Sequence, residues 1–210
     1  MSSPALYHAI HQAGQQAAHE AIQEVIVISQ DSAGQAHIAP FGIRRRGGLV
    51  HIAPYRSSLT LDNLLQQQSA TLNMTDDVRV FAGALTGHTC WQLRQQQDAW
   101  LLDSALAYQQ LALVHVEDDP VRPSLYFSVQ HQAQLAMFQG FNRAQSAVIE
   151  LAVLVSRLGM LATAQIQQQM RQLQVLIDKT AGEREWQAWQ WLQQKVQDYE
   201  AQHDASSSQR

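Results

Sequence analysis

The sequence predicts an α+β protein, a small antiparallel β-barrel followed by a helical C-terminal domain. Three observations predict it. Between residues 24 and 54, β-branched runs alternate with turn residues at hairpin spacing. Two longer runs of the same kind, 111–117 and 124–135, flank the turn Asp118-Asp119-Pro120-Val121-Arg122-Pro123. Beyond residue 142 the apolar residues change to helical spacing and keep it to Tyr199. With 210 residues the chain is long enough for a barrel and a small helical lobe.

Residues 1–22 are rich in Ala, Gln and His, and Leu6, Ile10, Ala13 and Ala17 stand at helix-compatible spacing, which predicts a loosely held helical extension. The run EVIVISQ at 24–30 is a strand closed by Asp31-Ser32-Ala33-Gly34. Strands at 36–44 and 49–54 follow, joined over the tip Arg46-Gly47-Gly48, where glycine supplies positive φ. A hairpin centred between Arg46 and Gly47 would set His51 opposite Gly42 and His37 near Arg56. Pro40 lies inside the second strand. It lacks the N–H that a continuous central ladder needs, so the sequence reads there as a sheet edge or a bulge, or as a place where the ladder opens for a ligand.

Residues 57–68 form an amphipathic helix, with Leu61, Leu64 and Leu65 as its buried stripe. The strand at 69–75 puts Leu72 and Met74 on one face and Thr71, Asn73 and Thr75 on the other. The polar face suits either water or the edge of a heterocycle, because an asparagine amide donates and accepts together. Asp76-Asp77 caps a short helix at 78–85, ahead of Gly87. In the last third, Asn142 caps a helix carrying Val148, Leu151, Val155 and Leu158. Gly182 separates two further amphipathic stripes, and Trp186, Trp189 and Trp191 are core or interface residues. The expected division is an extension at 1–22, a barrel at 23–138, a helical domain at 139–204 and a frayed polar tail at 205–210.

The stretch with most chemical content is Ala53-Pro54-Tyr55-Arg56-Ser57-Ser58-Leu59-Thr60, where the chain leaves a strand and enters a helix. A helix N-terminus offers unpaired backbone N–H donors and partial positive charge. Ser57, Ser58 and Thr60 add hydroxyls, and Arg56 can grip phosphate oxygens in bidentate fashion. The plainer alternative is that one hydroxyl is simply the N-cap, with Asp62 suiting the first turn of any helix.

Pro40-Phe41-Gly42-Ile43, the turn Pro54-Tyr55-Arg56-Ser57-Ser58-x-Thr60, Asn63-Leu64-Leu65, Asn73-Met74-Thr75-Asp76-Asp77, Phe81 and Gly140-Phe141-Asn142-Arg143-Ala144 together resemble the flavin-reductase-like, FMN-binding split barrels. Within that superfamily the chain is most similar to a small, largely uncharacterised family that pairs a split barrel with a helical C-terminal domain. The likeness spans about residues 23–158. It implies FMN as cofactor, with the phosphate at Arg56, Ser57, Ser58 and Thr60 and the ring against Pro40, Phe41, Gly42 and Asn73. It also implies that Asn142 and Arg143 reach the flavin, from a neighbouring subunit, in a homodimer with FMN near the interface. Members of that family are associated with organisms that use tetrahydromethanopterin, which points to a pterin-type substrate. No acid, base or nucleophile stands out, so the resemblance is compatible with a flavin-dependent oxidoreductase or with a non-catalytic flavin-binding module that carries, senses or assembles.

Composition excludes other classes. A formal charge of −4 argues against nucleic acid as the main partner, because phosphate neutralisation needs a basic face. The one basic run, Arg44-Arg45-Arg46, reads as a solvated hairpin tip, with a grip on an anionic ligand as the alternative. A single cysteine, Cys90, and no charged-then-apolar N-terminus lead to the expectation of a reducing cytoplasmic home. The most apolar window, 147–155, is interrupted by Glu150 and falls short of the roughly 20 residues that span a bilayer, so no membrane segment is expected. His88-x-Cys90 lacks a second pair of ligands at finger-like spacing, so no metal site is expected either.

Overall fold

The computed structural model describes residues 20–96 and 99–207, with side chains to 203; most of the expected N-terminal helix and the end of the tail lie outside the described residues. The chain divides into two units. One runs to Thr75 and resumes over Gln92–Met137; the other is Asp76–Trp91 with Phe138–Arg210. Residues 76–91, inside the segment expected to be barrel, therefore belong with the helices.

In the first unit, β1 (Gln23–Gln30), β2 (Ala36–Arg46), β3 (Leu49–Ile52), β4 (Ser69–Thr75), β7 (Ala105–Glu117) and β8 (Ser124–Gln134) close a barrel in the order β1-β2-β3-β8-β7-β4. A hairpin of β5 (Leu93–Gln96) and β6 (Ala99–Leu102) forms a separate two-stranded sheet. The lumen is filled by alternate residues of each strand: Val25 and Val27, Ile43, Val50 and Ile52, Leu72, Leu111, Leu125 and Phe127. Helix α1 (Leu59–Gln67) adds Leu61 and Leu64 to the same cluster and plugs one end of the barrel. Asn63 Nδ2 donates to Ser29 Oγ at 3.2 Å and Leu113 N to Gln68 O at 2.7 Å, which fixes the plug to β1 and to the chain of β7.

The β2–β3 turn is a two-residue loop. Gly47 and Gly48 both have positive φ, 56° and 80°, the conformation this hairpin type demands. The register accordingly pairs Arg46 with Leu49 and Arg44 with His51. This corrects the expected centre: His51 lies opposite Arg44, not Gly42, and His37 lies opposite Ser29 of β1 rather than near Arg56.

Pro40 sits in an unbroken β1–β2 ladder, opposite Ile26. On its other side β2 pairs with β3 only through Arg44–Arg46, so the first part of β2, Pro40 included, is a sheet edge. The wall of the barrel is parted there.

In the second unit, α2 (Arg79–Thr86), α3 (Arg143–Val155), α4 (Thr163–Thr180) and α5 (Glu183–Ser207) share one core, built from Val78, Ala82, Val148, Leu151, Ile166, Ile177, Trp189 and Leu192. Trp189 is fully buried and its Nε1 donates to Gln174 Oε1 at 2.9 Å; Trp186 stays partly exposed, and Trp191 stacks on the His88 ring with centroids 4.6 Å apart. Asp77 accepts the Arg79 backbone N–H at 3.2 Å and grips the Arg79 guanidinium, so it orders the first turn of α2 from just outside the helix. Among the described residues no helix is long and apolar enough to cross a membrane.

Candidate functional site

The turn between β3 and α1 is held by the β7–β8 turn on the same side of the barrel. Arg56 N donates to Val121 O at 2.9 Å. The Arg56 guanidinium forms an ion pair with Asp118 and donates to Asp119 O at 2.6 Å. In return, Arg122 reaches back to Ala53 O through Nε at 3.0 Å and Nη2 at 2.7 Å, and its guanidinium lies 4.6 Å over the Tyr55 ring. Asp119 Oδ1 accepts the Val121 and Arg122 N–H groups at 2.8 and 2.7 Å, and those two bonds hold its carboxyl below the usual range. Two arginines are thus exchanged between two turns.

Ser58 is the N-cap. Its φ and ψ are −93° and 138°, its Oγ accepts Leu61 N at 3.3 Å and donates to Tyr55 O at 2.7 Å. Among the described residues, the backbone N–H groups of Ser57, Leu59 and Thr60 have no acceptor in the chain. Ser57 is exposed, the Arg56 side chain is 45% exposed, and Thr60 is buried. The cap and the open donors therefore coexist: one hydroxyl is used by the helix, while three N–H donors, one hydroxyl and a guanidinium face outward or stand unpaired.

The other expected residues fall as follows. Phe41 points into the barrel and packs against its core, whereas Pro40 and Gly42 alternate to the outer face of the β2 edge. A Cβ on Gly42 would lie 2.7 Å from Ile22 Cγ2 and 3.0 Å from Glu24 Oε1, so the glycine lets the neighbouring strand's side chains close over it. Asn73 is fully buried. Its Oδ1 accepts Leu102 N at 2.9 Å and its Nδ2 donates to Trp100 O at 3.1 Å, so both ends of the amide bind β6. The face expected to meet water or a ligand is covered by a hairpin that the sequence reading did not contain. Asn142 caps α3, its side chain accepting Ala144 N at 2.8 Å, and Arg143 is exposed; both belong to the helical unit.

Three features were missed. Arg122 and its aspartate neighbours read only as a turn, because their partners lie at sequence separations of 62 to 69 residues. A polar cluster lies on the outer face of β2, β3 and β8: Glu20 bridges Arg44 and Arg46, Arg46 Nη1 lies 3.4 Å from Tyr126 Oη, and Tyr126 Oη donates to Glu117 Oε2 at 3.0 Å. Arg46 holds the Glu20 carboxyl below its usual range. In the same cluster His51 is buried, with neither ring nitrogen hydrogen-bonded, its ring 5.0 Å from that of Tyr126, and its pKa pushed down to about 4 by burial and by Arg46 and Arg44. Finally, a cavity of about 240 Å³ is lined by Ser29, Thr71, Trp100, Gln110 and Gln130, none of them in the expected set. Among the described residues no group of three or more His, Cys, Asp or Glu side chains could hold a metal ion.

Known proteins bear on this arrangement. No curated protein matches the sequence. Among solved structures, an FMN-bound protein of Methanosarcina mazei is similar over 84% of this chain and 96% of its own, at 17% identity and a TM-score of 0.72. A 2-nitrobenzoate 2-nitroreductase of Pseudomonas fluorescens covers 63% of this chain and 73% of its own, at 16% identity and a TM-score of 0.47. A flavoredoxin of Methanosarcina acetivorans covers 57% and 73%, at 10% identity and 0.45. The first of these likenesses shows the fold. Family models match most of the chain, the N-terminal domain of the protein of unknown function DUF447 at residues 23–136 and the remainder of DUF447 at 142–194, and the chain belongs to that family.

Proposed function

We propose that this protein binds FMN and works as a flavin-dependent oxidoreductase. The observation that carries the reading is the start of α1, where unpaired N–H groups of Ser57, Leu59 and Thr60 stand beside a half-exposed Arg56. The FMN phosphate would accept from those donors and from the Ser57 hydroxyl. Arg56, already oriented by Asp118 and Asp119, would supply the counter-charge. The ring would lie along the parted edge of β2 at Pro40, where the strand has no partner on one side, with Phe41 supporting that edge from inside the barrel; Gly42 would meet it only if the Ile22 and Glu24 side chains turned away. Asn73 would meet a flavin only if β6 moved away, since its amide is engaged at both ends. Asn142 and Arg143 are assigned to the flavin of a second copy, in a homodimer. The FMN-bound state of the similar Methanosarcina mazei protein supports the cofactor.

FMN supplies the redox chemistry when bound, and the chain supplies position and charge around it. The acceptor class to assay first is a pterin. The test is the visible spectrum of the freshly purified protein, with release and identification of any chromophore, followed by anaerobic addition of NADH, NADPH or a reduced deazaflavin. A yellow protein that releases FMN and bleaches with one donor supports the oxidoreductase. A yellow protein that exchanges electrons with none of them leaves a flavin-binding module that carries or senses. A colourless protein that also fails to bind added FMN removes the proposal.

A further inference from the structure

Alternation along β2 places Phe41, Ile43 and Arg45 on the inner face, and Arg45 pairs in register with Val50, another lumen residue. The lining changes character at that point. Beyond Ile43 the lumen is no longer apolar: Arg45 Nη2 donates to Gln109 Oε1 of β7 at 2.7 Å, and Arg45 Nε donates to Gln23 Oε1 of β1 at 3.3 Å. Gln109 Nε2 in turn donates to Gln132 Oε1 of β8 at 2.7 Å. Strands β2 and β7 are not neighbours in the barrel, so the guanidinium reaches across the mouth from one wall to the other. This mouth lies at the end where β1 starts and β2 finishes, opposite the end that α1 plugs.

Arg45 differs from its two neighbours in the basic run. Arg44 and Arg46 share Glu20, whereas among the described residues no carboxylate lies within salt-bridge distance of Arg45. Among the described residues its fixed charge is met only by neutral amide oxygens, and its Nη1 donors have no partner there. Arg45 also stays exposed to solvent. A guanidinium oriented by neutral acceptors on two strands, with donors and charge left over, is pre-organised for a planar or tetrahedral oxyanion.

We infer that the barrel mouth opposite α1 is a second binding site, in which Arg45, oriented by Gln23 and Gln109, receives the carboxylate or phosphate group of a small molecule. The site is independent of the flavin reading. It uses none of the residues assigned to FMN.

The test follows the Arg45 Nε–H resonance in the ¹⁵N-labelled protein, with sodium phosphate and sodium benzoate added separately at constant ionic strength against sodium chloride. A saturable shift with either oxyanion, absent in Arg45→Gln, supports the site and names phosphate or organic acid as the class. The variant Gln109→Glu places a carboxylate beside the guanidinium, and should weaken oxyanion binding at least tenfold in a protein that stays folded. No shift with either anion at tens of millimolar overturns the site, as does binding that survives both substitutions. Should Arg45→Gln fail to fold, the Gln109→Glu comparison decides alone. FMN affinity, measured by quenching of flavin fluorescence, is expected to be equal in wild type and Gln109→Glu, and Arg56→Ala should leave the Arg45 shift intact, so the two sites fail separately.

Discussion

The side chain of Asn73 does the work of a backbone partner for β6. Its Oδ1 accepts the Leu102 N–H at 2.9 Å while its Nδ2 meets Trp100 O at 3.1 Å, as a neighbouring strand would do. One buried amide thereby attaches the β5–β6 hairpin to β4. Leu101 and Tyr108 pack together in the same layer.

Asn73→Ala should therefore cost about 2–4 kcal/mol of stability, since it leaves a buried N–H and a buried carbonyl unsatisfied at roughly 1–3 kcal/mol each, offset by relaxation. Asn73→Asp keeps the acceptor and loses the donor, and should be destabilised as well. Urea unfolding measures both. A loss under 0.5 kcal/mol for the alanine variant would show that β6 is held by packing alone.

For the flavin phosphate, Arg56→Ala should weaken FMN binding by roughly 1.5–3 kcal/mol, the range for a hydrogen bond to a charged group. Thr60→Val should cost less, because Thr60 is buried and contributes its backbone N–H in either form. Fluorescence titration gives both affinities. If neither variant differs from wild type, the phosphate does not sit at α1.

Arg122→Ala removes both donors from Ala53 O and the cation from the Tyr55 ring. Because Arg122 is exposed, about 1 kcal/mol of global stability is expected to go. The larger effect should be local: faster amide exchange through residues 53–58, with β4 unchanged. Uniform exchange across the barrel would argue that the turn opens only with the whole unit.

His51 makes stability depend on pH. Its folded pKa, about 4, lies below the ordinary 6.5, because burial and the Arg46, Arg44 and Arg122 charges oppose protonation more than Glu20 favours it. Between those values the unfolded chain binds the extra proton and the folded one does not, so stability is full above pH 6.5 and falls as pH drops toward 4. The slope from this one group is roughly 1.4 kcal/mol per pH unit. His51→Phe should lack that part of the slope in unfolding curves from pH 7.5 to 5. Parallel pH profiles for the two proteins would place the acid sensitivity elsewhere in the cluster.

Much of the barrel was legible because β-branched residues and turn residues alternate plainly from 24 to 54 and from 111 to 135. The hairpin register was misread by a small shift in the centre of the turn, since Arg46-Gly47-Gly48 allows more than one loop and only the φ values choose between them. The β5–β6 hairpin was not legible. Leu93-Arg94-Gln95-Gln96 does not alternate and stays largely exposed, and its buried partner β6 is only four residues long. That omission left the Asn73 face with two readings, water or flavin, when a third held. The cap at Ser58 and the open N–H donors around it were both visible, because each depends on local sequence. Their partners at Asp118, Asp119 and Arg122 were not, since the contact is made by topology rather than spacing. Likewise Val78 and Ala82 are apolar residues of a short helix, and only packing assigns them to the helical core.

The exchange of arginines between the β3–α1 and β7–β8 turns also dates the site in the life of the chain. Ala53 and Arg122 are separated by 69 positions, so while the protein is being synthesised the first turn exists long before the residues that brace it. Contacts of such separation form late, after the entropy of closing the intervening loop has been overcome. A nascent chain that has emerged only through α1 and β4 carries the whole β3–α1 turn in sequence and lacks its brace in space. If this turn holds the flavin phosphate, the orientation of Arg56 should arrive only with the last hairpin of the barrel, when Asp118 and Asp119 come into place.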